Sequence, residues 1–370
     1  MAEQLIPAEI ISDRTSLGET GHQPAGCPHC GRVFLIKDDR IGTNCPLCRK
    51  AALESQSARA RPGQPELILP FKVGQSALLP IYQSFVSAVW IRPDDFNPQS
   101  LLRRSVPLFW PLWLVDTDIR GKWQMEAGFN YQVESTKEVF AGGQWDSRKQ
   151  IEDRIRWEPR LGKLETRVDN VALPALEEHA NRRQLTGQYP LDKAQPFDSK
   201  YLGDALIEIP DLPPDEAWPL ARPQVDRTAA MVCVKAAAAD HSRNFTLTAE
   251  YDNQHWTQFL LPLYATFYTD DNGQPQIVLV NGFNGEIHGP QMASRKRGLQ
   301  IAGIIAAVAG VFLLLALIAL LLTPILAFAG VIAAMCALLG LGTGIAAIIT
   351  VVQPAQWNNS QSPPRIVTRK

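Results

Sequence analysis

Residues 298–352 read GLQIAGIIAAVAGVFLLLALIALLLTPILAFAGVIAAMCALLGLGTGIAAIITVV and contain no Asp, Glu, Lys, Arg or His. As one helix the run would reach roughly 80 Å at 1.5 Å per residue, far beyond a ~30 Å hydrocarbon core. It therefore has to fold back. Thr323-Pro324 is the natural break, because proline has no amide donor and disfavours helix at the residue before it. Two segments result, 299–322 and 325–352, each close to the ~20 apolar residues that a crossing needs. A soluble helix keeps a polar face, and neither segment has one. The pattern predicts a C-terminal transmembrane helical hairpin.

The flanks set the expected orientation. Arg295, Lys296 and Arg297 precede the first segment, and Arg365, Arg369 and Lys370 follow the second. Cytoplasmic flanks are enriched in Lys and Arg, so both termini are expected on the cytoplasmic side of an inner (plasma) membrane crossed twice. Trp357 would sit at the headgroup level. Small residues four apart, Gly303/Ala307, Ala306/Gly310, Gly330/Ala334 and Gly340/Gly344, would let backbones approach, within the hairpin or between copies of the chain. With no ionisable group inside, the segments read as an anchor and not as an ion path.

Outward from the anchor, the chain is nearly neutral, with net charge -1 over 370 residues. No global field steers it toward nucleic acid. The opening MAEQLIPAEIISDRTS lacks a basic start followed by an apolar core, so no signal peptide is expected. Residues 1–26 are expected to be flexible. Of six cysteines, four form two tight pairs, Cys27-Pro-His-Cys30 and Cys45-Pro-Leu-Cys48, while Cys233 and Cys336 stand alone. A secreted disulfide scaffold would be shorter and denser in cysteine.

Two residues between thiolates let a short turn aim both sulfurs at one ion, and four thiolates complete a tetrahedral site. Residues 27–50 are therefore expected to form a zinc ribbon with structural Zn2+ on Cys27, Cys30, Cys45 and Cys48. A rubredoxin-like iron site and a pair of disulfides remain as alternatives. Gly31 suits a turn of positive φ. Residues 32–37 read as a strand and 38–42 as the returning turn. So small a module buries little apolar surface, so a metal would supply most of its folding free energy. Four protein ligands leave no open position, which argues against catalytic zinc. His29 is expected to be exposed. Arg32, Lys37, Arg40, Arg49, Lys50, Arg59 and Arg61 make the region mildly basic, but Phe34, its one aromatic, is expected in the small core. Nucleic-acid binding is therefore expected to be weak.

A polar linker, 51–66, leads to an expected antiparallel-sheet α+β domain, 67–290, with two similar lobes as a variant. Strands are expected at 67–73, at 106–121, and in a hairpin of 151–157 with 164–171 turning at Leu161-Gly162-Lys163. A helix is expected over 75–90, and another after Asp215 as its cap. Further strands are expected at 245–252, 259–268 and 276–281, with a turn at Asn272-Gly273. The echo between 107–114 and 259–264 suggests duplication. A basic polar tail, 353–370, closes the chain.

Motifs of catalysis are missing from the sequence. No G-x-x-x-x-G-K-[ST], G-x-S-x-G or H-E-x-x-H occurs. Glu177-Glu178-His179 reads as an exposed helix face, His241, His255 and His288 have no partnering pattern, and Asn281-Gly-Phe-Asn-Gly-Glu-Ile-His-Gly289 reads as a turn.

The cysteine pairs, Leu69-Pro-Phe-Lys-Val73, the 106–116 strand, Arg156-Trp-Glu-Pro159, Leu260-Leu-Pro-Leu-Tyr264 and Val280-Asn-Gly-Phe-Asn-Gly285 follow one another in an order that resembles a bacterial family of membrane-anchored zinc-ribbon proteins. Its members are often labelled as like primosomal protein N-prime, a superfamily II helicase, although this chain lacks the phosphate loop such a motor needs. The resemblance spans residues 27–297. It implies a scaffold of envelope stress whose partners are phage-shock-protein-A-like or flotillin-like (SPFH) proteins. Phe283-Asn284 departs from the family pattern of a polar residue followed by threonine. Together these readings predict a non-enzymatic adaptor that recruits cytosolic proteins to the membrane. A membrane-tethered nucleic-acid binder is the alternative, and a helicase or hydrolase comes third.

Overall fold

The computed structural model describes residues 22–56, 65–141, 144–325 and 328–360. Most of the expected flexible N-terminus and half of the expected linker lie outside these residues, as do the basic flank Arg365, Arg369 and Lys370 and the linker arginines Arg59 and Arg61. In chain order the elements are β1 (His22–Gly26), β2 (Val33–Lys37), β3 (Glu54–Ser55), β4 (Leu67–Ile68), α1 (Leu78–Ser87), α2 (Pro98–Arg103), β5 (Val106–Ala141), β6 (Gln144–Pro174) and α3 (His179–Thr186). There follow β7 (Gln195–Pro196), β8 (Leu206–Glu208), α4 (Pro214–Ala236), β9 (His241–Thr269), β10 (Pro275–Asn281), β11 (Ile287–His288), α5 (Arg295–Leu321) and α6 (Ala329–Ser360). The fold is α+β. The chain forms two compact units, one of Met1–Trp110, Glu178–Ile209 and Leu260–Lys370, the other of Pro111–Glu177 and Pro210–Phe259.

In the first unit the strand order is β11-β10-β9-β5-β8-β2-β1-β3. The sheet is mixed, where an antiparallel one was expected. Leu108 and Phe109 of β5 pair in parallel with Leu206 and Ile207 of β8, whereas β1–β2, β2–β8 and β9–β10 are antiparallel. The cysteine module is thus built into this sheet: Phe34 and Leu35 pair with Glu208 and Ile207. Burial explains the attachment, since Leu35, Ile68, Phe109, Ile207 and Leu260 share one apolar cluster. Residues 22–26, expected as part of a flexible end, form β1 because β2 and β3 supply partners on both of its edges. A second cluster packs Leu78, Tyr82, Phe85 and Val86 of α1 on Tyr264, Tyr268, Val278 and Val280.

In the second unit β5 and β6 pair from Leu112↔Pro174 to Ala141↔Gln144, with one irregularity between Val115 and Thr117. The hairpin expected within 151–171 does not exist. Residues 144–174 form a single strand, and Gly162 lies opposite Trp123. A Cβ on Gly162 would stand 2.9 Å from the Trp123 ring, so this glycine makes room for an indole and does not turn the chain. The strands expected at 245–252 and 259–268 are likewise one, β9. Ala217, Ala221, Val225, Ala229 and Cys233 form a buried stripe on α4 at four-residue spacing, which seats the helix against Trp113, Val115, Ile119 and Val168. Asp215 is not the cap of α4. Pro213 holds that position, and Asp215 and Glu216 fall in the first turn, where their charge still favours the helix dipole. Of the expected strand at 67–73 only Leu67–Ile68 is regular strand, although the Leu69 amide still donates to the Leu260 carbonyl at 2.9 Å.

The two C-terminal helices are long and apolar enough to cross a membrane. Within the most apolar window of each, only 11% and 17% of residues are buried, so neither helix is packed into the core of this chain. They pack on each other through small residues seven apart: Ala302, Ala309 and Ala316 on α5, and Ala333, Gly340, Ala347 and Pro354 on α6. Cβ atoms built on Gly298 and Gly340 would meet the Thr350 carbonyl oxygen at 2.7 Å and Leu313 at 2.8 Å. The four-residue pairs read from sequence are therefore mostly not the contact between these two helices. Gly303, Ala306, Ala307, Gly310 and Ala334 face outward, because a seven-residue period keeps one seam in register whereas a single four-residue step does not. Helix α6 starts after the expected residue 325 and runs on to Ser360, with Pro354 buried against Gly298, so the first part of the expected tail is helical.

Candidate metal centre

Each cysteine pair sits on a tight backbone loop, and the two loops repeat one another. In the first, the Cys27 amide donates to the Arg32 carbonyl at 2.8 Å and the Gly31 amide to the Cys27 carbonyl at 2.9 Å. In the second, the Cys45 amide donates to the Ala51 carbonyl at 2.9 Å and the Arg49 amide to the Cys45 carbonyl at 3.0 Å. The residue after each second cysteine has positive φ, +72° at Gly31 and +59° at Arg49. The glycine was legible in the sequence and the arginine was not. Backbone amides of His29 and Cys30 face the Cys27 sulfur, and those of Leu47 and Cys48 face that of Cys45.

The four Sγ atoms lie within 4.8 Å of one another. Cys27 and Cys48 are 3.5 Å apart and Cys30 and Cys45 3.8 Å, and all four are free thiols. A tetrahedron with Zn–S near 2.3 Å has sulfur–sulfur edges of about 3.8 Å, so this donor set fits such an ion. Cys27, Cys45 and Cys48 are buried and Cys30 is partly exposed. The hydrogen bond between Cys30 and Cys45, then burial, holds the Cys45 thiol far above its ordinary range, and the same bond lowers Cys30 to about 5. Burial pushes Cys27 up to about 11. A proton held between crowded sulfurs is what a cation would displace. His29 is exposed and Phe34 is fully buried, both as the sequence implied.

An arginine leaves each loop and braces it. Arg32 ion-pairs with Glu178 and lies 3.5 Å from Glu208. Glu208, 1% exposed, is gripped by both terminal nitrogens of Arg182, one of them at 3.1 Å from Oε1. The Arg182 guanidinium lies over the Trp110 ring, and the His179 ring packs against the same indole at a tilt of 40°, with centroids 5.1 Å apart. Sequence reasoning missed this network, although a carboxylate inside the apolar run Leu206-Ile-Glu-Ile209 was a signal. His179 is also not on an exposed face. Its Nδ1 is buried with no hydrogen-bond partner, and burial, then Arg183 and Arg182, lowers its pKa to about 4. On the other side the Arg49 guanidinium stands 4.2 Å above Phe267, which Arg104 also covers at 4.7 Å. Arg49 donates to the Asn44 carbonyl at 3.2 Å.

The Asn281 loop is a built turn. The Asn281 side chain is fully buried, donates to the Thr186 carbonyl at 2.8 Å and accepts from the amides of Phe283 and Asn284. Compared with protein-family models, with curated proteins and with solved structures, the chain matches none.

Proposed function

We propose that the protein is a membrane-anchored adaptor whose cysteine module is a zinc ribbon holding structural zinc on Cys27, Cys30, Cys45 and Cys48. The observation that carries the reading is the joining of two features in one unit, a closed four-sulfur site and a pair of exposed apolar helices. Zinc suits the site because four sulfur donors complete its tetrahedron and leave no position for substrate. The ion would supply Lewis acidity only to its own ligands and would lock two loops together. The helices form a hairpin across the inner membrane, with both termini in the cytoplasm and the soluble units on that side.

Recruitment of a cytosolic protein is favoured over recruitment of nucleic acid by how the basic residues are used. Arg32 pairs with Glu178 and Glu208, Lys37 with Asp204, and Arg49 lies on Phe267. Arg32 is thereby neutralised by two carboxylates, and Lys37 and Arg49 are engaged within the protein, which weakens the attraction for phosphates, whose neutralisation dominates nucleic-acid affinity. The resemblance to membrane-anchored zinc-ribbon proteins supports the same reading and adds phage-shock-protein-A-like or SPFH proteins as partners. The test is affinity capture of the full chain from detergent extract, with and without nuclease, alongside metal analysis. Protein partners should survive nuclease at physiological salt, and about one zinc per chain should co-purify. Partners lost with nuclease, or a chain that carries iron or no metal, would sink the proposal.

A further inference from the structure

The start of α5 is tied to the segment that follows α1. The Ser294 amide donates to the Ile91 carbonyl at 2.7 Å. Arg297 donates to the Arg92 carbonyl at 3.1 Å and ion-pairs with Asp94 at 2.8 Å. Trp90, one residue before this tie, is 67% exposed. In the first unit, outside the two apolar helices and the residues that join them, the other large hydrophobic exposed among the described residues is Ile41, at 37%. A tryptophan left so open on a segment pinned to the first turn of an apolar helix suits a layer that is apolar and wet together.

Charge around it is sorted. Asp94 is taken by Arg297, and Asp271 accepts from the Ser294 hydroxyl and the Lys296 amide as part of the helix cap. Arg92, Arg295 and Lys296 keep no carboxylate partner among the described residues, and Arg295 and Lys296 are exposed. At the other end of the pair, the Trp357 indole donates to the Gln291 carbonyl at 2.6 Å, and Asn358 bonds both the amide and the carbonyl of Ala293. Both helix ends are thus fastened to the same short stretch, 291–294, next to Trp90.

We infer that Trp90, Arg92, Arg295 and Lys296 form a lipid-contacting patch of the soluble part, in which the indole enters the headgroup layer and the three cations select anionic phospholipid. Aromatic side chains favour that layer, and basic residues near it are attracted to anionic headgroups. This inference rests on the membrane reading above and goes further, because the Trp90 segment belongs to neither apolar helix.

The test uses the full chain reconstituted in vesicles of phosphatidylcholine, or of phosphatidylcholine and phosphatidylglycerol in equal parts, with one lipid brominated near the headgroup. Lipid bromine quenches tryptophan fluorescence by contact. Trp90→Phe should remove a distinct part of the quenched signal, and Trp357→Phe another. Brominated phosphatidylglycerol should quench the Trp90 component about threefold more than brominated phosphatidylcholine, as expected where several basic residues attract anionic lipid. The triple variant Arg92→Gln, Arg295→Gln, Lys296→Gln should abolish that ratio. If Trp90→Phe leaves the quenched amplitude unchanged while Trp357→Phe lowers it, the patch is overturned and the membrane anchor stands. A Trp90 component without lipid preference overturns the anionic selection. If no tryptophan is quenched, the membrane reading fails first and the patch with it.

Discussion

The two sides of the metal centre solve one problem with different materials. Both loops hold a cysteine pair, both place a residue of positive φ after the second cysteine, and both send an arginine outward. On the first side the strained position is Gly31, which has open space around it, and the bracing arginine, Arg32, ends in the buried Glu208–Arg182 pair. On the second side one residue does both jobs. Arg49 takes the left-handed conformation, at a cost of roughly 1–2 kcal/mol for a non-glycine residue, and its guanidinium lies on Phe267. The comparison teaches that a backbone requirement can be met by deleting a side chain or by giving that side chain enough to hold. The first is readable in a sequence. The second is not.

The largest effect should come from removing what the two sides share. Cys45→Ser should reduce bound zinc from about one per chain to near none and open residues 22–56 to protease, because metal binding is most of a small module's folding free energy. Metal analysis and limited proteolysis would read it. Full metal occupancy in this variant would mean that the sides do not meet at one ion.

Next in size is the ionic brace. Glu208→Gln leaves Arg182 buried without its counter-charge and should cost about 3–5 kcal/mol in chemical denaturation. An effect no larger than that of an exposed substitution would place the strength of the first side elsewhere.

Acid should then act on that same side. His179 has a folded pKa of about 4, below the usual 6.5, so the unfolded chain binds more protons between these values. Stability is fully present above about pH 6.5 and declines as pH falls toward 4, by up to about 3 kcal/mol. His179→Phe, which keeps a ring on Trp110, should flatten the melting-temperature profile across that window. A profile that keeps its slope would assign the acid sensitivity to other groups.

The smallest effects test the comparison most sharply. Arg49→Ala keeps the strained backbone and loses the ring contact, and should cost about 1–2 kcal/mol. Arg49→Gly loses the contact but relieves the strain, and should cost less than Arg49→Ala by about 1 kcal/mol. Gly31→Ala should cost about 1 kcal/mol from strain alone, since no atom blocks the new Cβ. If Arg49→Gly is worse than Arg49→Ala, the guanidinium was not what offset the strained backbone.

What the sequence disclosed was local. The four cysteines, the 33–37 strand, Gly31 and the apolar run each lie within a short window whose spacing has one physical meaning. What it hid depended on partners far along the chain. Gly162 looked like a turn because nothing nearby marks Trp123 as the residue opposite it. His179 looked exposed because Trp110 and Arg182 come together only in the folded unit. Which small residues make the contact between the two helices was not legible, because they occur at both four- and seven-residue spacings, and only packing distinguishes the seam Ala302, Ala309 and Ala316 from the outward positions.

The pairing of β2 with β8 also sets a clock. The cysteine module leaves the ribosome early, yet its neighbour in the sheet is made much later: Lys37 meets Asp204 across 167 residues. At about 5–20 residues per second, translation takes roughly 8–30 s to cover that distance. During the interval Cys27, Cys30, Cys45 and Cys48 are exposed on a nascent chain whose sheet edge is still open. Early metal capture would close the thiols to oxidation and leave β2 waiting for its partner strand. Both apolar helices lie further along the chain than β8, so the sheet partner of β2 is made before either of them.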